Sequence, residues 1–165
     1  MLRISTAPLQ AATATCIVRP VSEDGSAVSP AVRALDVAAG SSWVERCAAS
    51  GPLPVGSAMI TDAGELDAEF VIHASIRSAT EPVGPRTVER ALRNALRRAE
   101  EWGVSDVALP ILGTGPGNLD PETACRLLAG PVAEWLAAEA GRRVTVCAAS
   151  EFEREVAARQ WPAGR

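Results

Sequence analysis

Val107-Ala108-Leu109-Pro110-Ile111-Leu112, followed by Gly113-Thr114-Gly115-Pro116-Gly117-Asn118-Leu119 and then Asp120-Pro121-Glu122, constrains the fold more than any other part of this chain. The apolar run has the length of a buried strand. Asp120 before Pro121 reads as a helix start, with a capping carboxylate and a proline at the first helical position. A strand that passes through a glycine-rich loop into a helix is half of a βαβ unit, and such units build parallel sheets. Glycines permit positive φ and let a ligand approach the backbone. Successive N–H groups in such a loop form an anion-binding concavity, to which a helix N-terminus adds about half a positive charge. The loop is therefore a phosphate-site candidate, although the same pattern also serves as a purely structural turn. It lacks the GK[ST] ending of a Walker loop and the GxGxxG spacing of a dinucleotide fingerprint.

Strand and helix signals alternate along the rest of the chain, which predicts a largely parallel or mixed sheet flanked by helices. Cys16-Ile17-Val18 is a short β-like run, and Pro20 to Ser29 is a polar loop. Ser29-Pro30 opens a helix through Val32, Leu35 and Val37 that ends at Gly40. Ser42 is the expected cap of a second helix, Trp43 to Ala49. Ser57 to Thr61 and Phe70 to Ser75 read as strands joined by a turn around Gly64. The clearest helix opens at Gly84-Pro85. There Val88, Ala91, Leu92, Ala95, Leu96, Ala99 and Trp102 recur at helical spacing, and Gly103 ends it. Gly130-Pro131 predicts a kink or split in the helix begun at Asp120. Arg143 to Ala148 reads as a last strand, and Glu151 to Gln160, capped by Ser150, as a last helix. With no internal repeat or long linker, residues 1–165 are expected to form one domain.

Composition excludes several chemistries. All 16 basic residues are arginine, so no Schiff-base or Walker-type lysine exists. The net charge of −4 weighs against duplex nucleic acid as a partner. Arg86, Arg90, Arg93 and Arg97 alternate with Glu89, Glu100 and Glu101, the pattern of a solvated helix face. No apolar run approaches the ~18 residues that span a bilayer, and no basic-then-apolar leader is visible. No membrane association and a cytoplasmic location are expected. Cys16, Cys47, Cys125 and Cys147 match no metal or CxxC spacing and read as reduced thiols. His73 is the sole histidine, and a packed role on its strand is expected. No metal or cofactor is expected. Asp62, Glu65 and Asp67 read as solvent-facing turn acids, while Arg19 is open between a phosphate contact and a structural strand-end role.

Three stretches together resemble the macro domains, the modules that bind ADP-ribose. Leu109 to Pro121 is similar to their second ligand-binding loop. Val55-Gly56-Ser57-Ala58-Met59-Ile60-Thr61 and Phe70-Val71-Ile72-His73-Ala74 resemble their G-x-A-x-x-T and Y-V-I-H strand pair. Gly25-Ser26-Ala27-Val28 and the helix to Gly40 resemble their first glycine-rich loop. The resemblance runs from about Leu2 to Gln160 and is strongest from Val55 to Pro121. It implies a three-layer αβα fold around a mixed, mainly parallel central sheet. It also implies that Gly113, Thr114, Gly115, Pro116, Gly117 and Asn118 embrace a diphosphate and the distal ribose, with Gly25, Ser26, Ala27 and Val28 closing the other side.

The chain departs from the family where its members usually place polar ligand contacts. Pro8 stands where they carry an aspartate for the adenine amino group. Arg19-Pro20-Val21-Ser22 replaces their N-A-A-N segment, and only Gly25 remains of the first glycine run. Each lost partner costs about 1–3 kcal/mol, so two such losses weaken ADP-ribose roughly 100-fold. Ser22, Glu23 and Asp24 are the candidates to replace the missing asparagine, with Glu23 or Asp24 as polar contacts or a general base. The expected function is a binding module for ADP-ribose or a related nucleotide diphosphate, free or on an ADP-ribosylated protein. The alternatives are a hydrolase of ADP-ribosyl or O-acetyl-ADP-ribose bonds, and a structural module that acts through protein contacts alone.

Overall fold

The structure is a computed structural model that describes residues 1–115 and 118–161. Its strands are β1 (Leu2–Ser5), β2 (Cys16–Ser22), β3 (Ala58–Asp62), β4 (Phe70–Arg77), β5 (Asp106–Pro110) and β6 (Arg143–Cys147). Its helices are α1 (Pro30–Ala39), α2 (Ser41–Ala49), α3 (Pro85–Glu101), α4 (Pro121–Ala138) and α5 (Glu151–Gln160), with a short 3-10 turn at Leu9–Ala11. The strands form one sheet in the order β1-β6-β5-β2-β4-β3. Every neighbouring pair is parallel except β3 with β4. The expected three-layer α/β architecture with a mixed, mainly parallel sheet is what the chain adopts.

Alternation along the strands makes the two faces. Val18, Ile72, Val107 and Leu109 pack toward Val88, Leu92, Leu96 and Leu128 of α3 and α4. Their neighbours Ile17, Val71 and Ala108 pack toward Leu35 of α1, Trp43 of α2 and Leu9 of the 3-10 turn. All seven residues of β2 are buried, as expected of an inner strand covered by helices on both sides.

Most expected elements are present, with local corrections. β1 carries no strand signal because four residues are too few for a period to register. Gly40, not Ser42, sits at the start of α2, which has no side-chain cap. Val37 is 82% exposed, since α1 buries Val32, Leu35 and Ala39 instead. Trp102 lies at the C-cap of α3, 57% exposed, with its ring edge-on to Phe70. α4 runs unsplit through Gly130-Pro131, because Leu128, Val132 and Trp135 anchor it to the core on both sides of the proline. The caps Ser29, Asp120 and Ser150 each accept a backbone N–H as expected.

Beneath α1 and α2 lies a buried polar cluster. Arg19, 2% exposed, donates from Nε to Asp36 Oδ1 (2.6 Å) and from Nη2 to Asp36 Oδ2 (2.7 Å). Nη2 also donates to the Gly25 carbonyl (3.1 Å), and the guanidinium carbon lies 5.5 Å from the centre of the Trp43 ring. Nη1 is 3.2 Å from His73 Nδ1. A guanidinium can only donate, so Nδ1 is the acceptor and the proton of His73 sits on Nε2. Nε2 then donates to Thr61 Oγ1 (2.9 Å), whose hydroxyl donates to the Asp62 carbonyl (2.8 Å). Burial, and then the Arg19 charge, hold His73 neutral and push its pKa down to about 3. Of the two roles open for Arg19, this geometry gives the structural one, and the expected packed role of His73 holds.

Two measurements check this cluster. Asp36→Ala leaves a buried guanidinium unpaired and is expected to cost about 3–5 kcal/mol in urea unfolding. For His73 the unfolded value is 6.5 and the folded value about 3. Below pH 6.5 the unfolded chain therefore binds a proton that the folded chain refuses. The stability contributed is full above 6.5 and falls with pH at about 1.4 kcal/mol per unit. His73→Gln is expected to shrink the stability difference between pH 7 and pH 5.5 by about 1–2 kcal/mol.

Candidate functional site

From β2 the chain moves outward to β3 and β4, then crosses back over β2 to β5. The strand order reverses between β2 and β5, where an open α/β sheet leaves a crevice beyond its carboxyl ends. A cavity of about 510 Å³ opens there. Pro20 at the end of β2 and Pro110-Ile111 at the end of β5 form its floor, and it extends over the ends of β6 and β1.

Gly113, Thr114 and Gly115 line one wall. Gly113 and Gly115 adopt φ of +85° and +121°, which only glycine takes without strain. The loop is tied by its own bonds. Thr114 Oγ1 donates to the Ile111 carbonyl (2.8 Å), and the Leu119 N–H donates to the Gly113 carbonyl (2.9 Å). Asn118 turns back on the loop, with its N–H to the Gly115 carbonyl and Nδ2 to the Thr114 carbonyl (3.4 Å). Pro116 and Gly117, expected in this wall, lie outside the described residues.

The facing wall differs from the expectation. Of Gly25, Ser26, Ala27 and Val28, only Val28 lines the cavity. The other three stitch a tight chain reversal. The Gly25 N–H donates to the Ser22 carbonyl (2.8 Å), the Ser22 N–H to the Ser26 carbonyl (2.9 Å), and Ala27 bridges Val21. The Gly25 carbonyl is held by Arg19, which itself does not line the cavity. In their place stands the start of α1, through Ser29, Pro30 and Ala31. Ser29 Oγ accepts the Val32 N–H (3.3 Å), Pro30 has none, and the Ala31 N–H has no intrahelical acceptor. A Cβ placed on Gly115 would lie 3.9 Å from Ser29 Cβ, so the loop and the helix start face each other closely.

The helix dipole also comes from a different helix than expected. α4 starts at Pro121 behind the exposed cap Asp120, whose Oδ1 takes the Thr123 N–H (2.9 Å) and is held below its usual range by that bond. Among the described residues, none of α4 lines the cavity, whereas the first turn of α1 does. Physically, the second loop meets the positive end of α1 across the crevice.

Ser22, Glu23 and Asp24 are not brought to this cavity. They edge a separate depression of about 450 Å³ with Arg77 and Ser78. Arg77 Nε donates to Ser22 Oγ (2.8 Å). Asp24 Oδ1 accepts from Ser26 Oγ (2.6 Å) and the Ser26 N–H (2.9 Å), which lower its pKa in that order. His73, the sole imidazole, has both nitrogens engaged in the core. Cys147 lines the cavity, but burial pushes its thiol up to about 11. Among the described residues no three metal-ligating side chains come together. Thr6 to Gln10 and Glu153 close the end of the cavity over β1, with Pro8 in the wall. Sequence reasoning missed Glu153, which it placed only in the last helix.

Residues 18–128 match the family model of the macro domain, and the chain belongs to that family. An uncharacterised protein of Aeropyrum pernix is 35% identical over 130 residues, 76% of this chain and 67% of that protein. Another, of Sulfurisphaera tokodaii, is 46% identical over 72 residues, 39% of this chain. The chain spans 35% of the length of the Sulfurisphaera protein and 48% of a Pyrobaculum aerophilum relative. The macrodomain of Oceanobacillus iheyensis solved with ADP superposes with a TM-score of 0.85 at 21% identity, covering 96% of this chain and 88% of that one. The Trypanosoma brucei macrodomain in complex with ADP-ribose superposes at 0.85 with 18% identity, covering 96% and 68%. At these identities the likeness to the solved structures shows the fold.

The loop's two positive-φ glycines differ in what surrounds them. A Cβ on Gly113 would sit 2.9 Å from Val88 Cγ2, whereas one on Gly115 meets nothing nearer than 3.5 Å. Gly113→Ala is expected to cost about 2–3 kcal/mol and Gly115→Ala about 1–2 kcal/mol, measured by thermal unfolding.

Proposed function

We propose that this chain is a binding module for ADP-ribose or a related nucleoside diphosphate. The diphosphate sits between Gly113–Gly115 and the first turn of α1, with Pro116, Gly117 and Asn118 completing the loop around the distal ribose. The observation that carries this reading is the opposition of a positive-φ glycine loop and a helix N-terminus across one cavity, at the reversal of strand order. The solved relatives named with ADP and ADP-ribose support the ligand class. The proposed ligand class covers ADP-ribose that is free or carried on an ADP-ribosylated protein. Binding is favoured over hydrolysis. Ser22, Glu23 and Asp24 line a different depression, and Cys147, which lines the cavity, is kept a neutral thiol by burial.

Calorimetric titration with ADP-ribose, using AMP and ADP as controls, tests this directly. Micromolar binding that prefers ADP-ribose is expected, with no turnover of O-acetyl-ADP-ribose. Gly115→Phe, which points a ring at Ser29, is expected to weaken binding more than about tenfold. No heat from the folded protein would overturn the proposal and leave a module that acts through protein contacts alone.

A further inference from the structure

We infer that Arg19 is a positioning residue of the binding cavity: it grips, at both ends, the stretch of chain that forms the wall opposite the glycine loop. The inference rests on the binding reading above and deepens it, because it names a side chain outside the cavity lining on which affinity depends. That wall is one continuous segment, in which Val28, Ser29, Pro30, Ala31 and Ala34 line the cavity. Just before the segment, Arg19 Nη2 holds the Gly25 carbonyl (3.1 Å). Just after it, Nε and Nη2 hold the two oxygens of Asp36 (2.6 and 2.7 Å). The strand that carries Arg19 continues into Pro20 on the cavity floor, so floor and wall are tied to one guanidinium.

The other contacts of this wall do not replace that grip. Val32 and Leu35 are fully buried and hold α1 against the core, but apolar burial is non-directional and tolerates small slides and rotations of the helix. The Ser22 N–H to Ser26 carbonyl bond and the bridge of Ala27 to Val21 tie the reversal to β2 and do not reach α1. The arginine fork bonds to both, and a bidentate pair with a carboxylate adds a fixed geometry to the attraction. Its third nitrogen, Nη1, is engaged with His73, so the fork has one orientation. An anion held between the glycine loop and the start of α1 needs donors from both sides at hydrogen-bond distance together, a tolerance of about 0.5 Å. A wall that is not held in advance must be ordered by the ligand itself, and that ordering is lost from the affinity.

The test separates positioning from stability. ADP-ribose is titrated into wild type, Arg19→Lys and the double variant Arg19→Met/Asp36→Leu, each at a temperature below the onset of its own unfolding. Lysine keeps the charge but lacks the planar fork that reaches Asp36 and Gly25 together. The double variant removes both charges at once, and replacing a buried ion pair by apolar residues of similar volume is commonly neutral or stabilising, so it keeps the protein folded where the lysine variant does not. Both variants are expected to bind ADP-ribose about tenfold more weakly than wild type, the double variant doing so with an unfolding temperature close to that of wild type. A role in stability alone predicts that affinity recovers with the unfolding temperature. Wild-type affinity in either folded variant therefore overturns the inference while the binding reading stands. No binding of ADP-ribose by wild type overturns both.

Discussion

Arg19 holds together parts of the chain that nothing else joins so directly. Its guanidinium lies in the middle of the fold, 2% exposed, and bonds to α1 through Asp36, to β4 through His73 and to the chain reversal through the Gly25 carbonyl. A charge buried this deeply is stable only when its donors are met, and here each of the three guanidinium nitrogens has an acceptor. The same demand fixes the protonation of His73. An imidazole facing a guanidinium must present a lone pair, which places its proton on the Thr61 side and keeps the ring neutral.

The site inherits its shape from this arrangement. Asp36 sits on α1, so the ion pair anchors that helix to the sheet, and Ser29 to Ala31 at its start lie opposite Gly115. Because Arg19 and the turn of Ser22 to Gly25 consume the polar groups of the first loop, that loop has little left to offer a ligand. In the proposed reading the helix N-terminus takes over the role that a longer glycine run would play. The remaining wall is mostly alanine, proline and branched aliphatics, which suits a flat ring and leaves specificity to a few polar groups.

The βα unit around Gly113 was legible because three local signals coincide: an apolar run, glycines at positions of positive φ, and an Asp-Pro start. The alternation of elements and the strand pair from Ala58 to Arg77 were legible for the same reason. Arg19 was not settled from sequence, since its partner lies seventeen residues away and its burial depends on the packing of Trp43. Val37 and Trp102 fit a helical period but fall at its edge, where the neighbouring layer does not reach. Pro131 looked like a break because propensity is local, while the contacts that hold α4 straight through it are tertiary. The place of Glu153 in the cavity wall was hidden because its spacing from Ser150 is that of an ordinary helix cap.

Amide chemical shifts followed by NMR during titration with ADP-ribose test most directly that ligand and cavity belong together. The account predicts that the largest changes cluster at Gly113, Thr114, Gly115 and Ala31, with a second group at Ala149 and Glu153. Changes confined to Glu23, Asp24 and Arg77, or scattered without a centre, would contradict it.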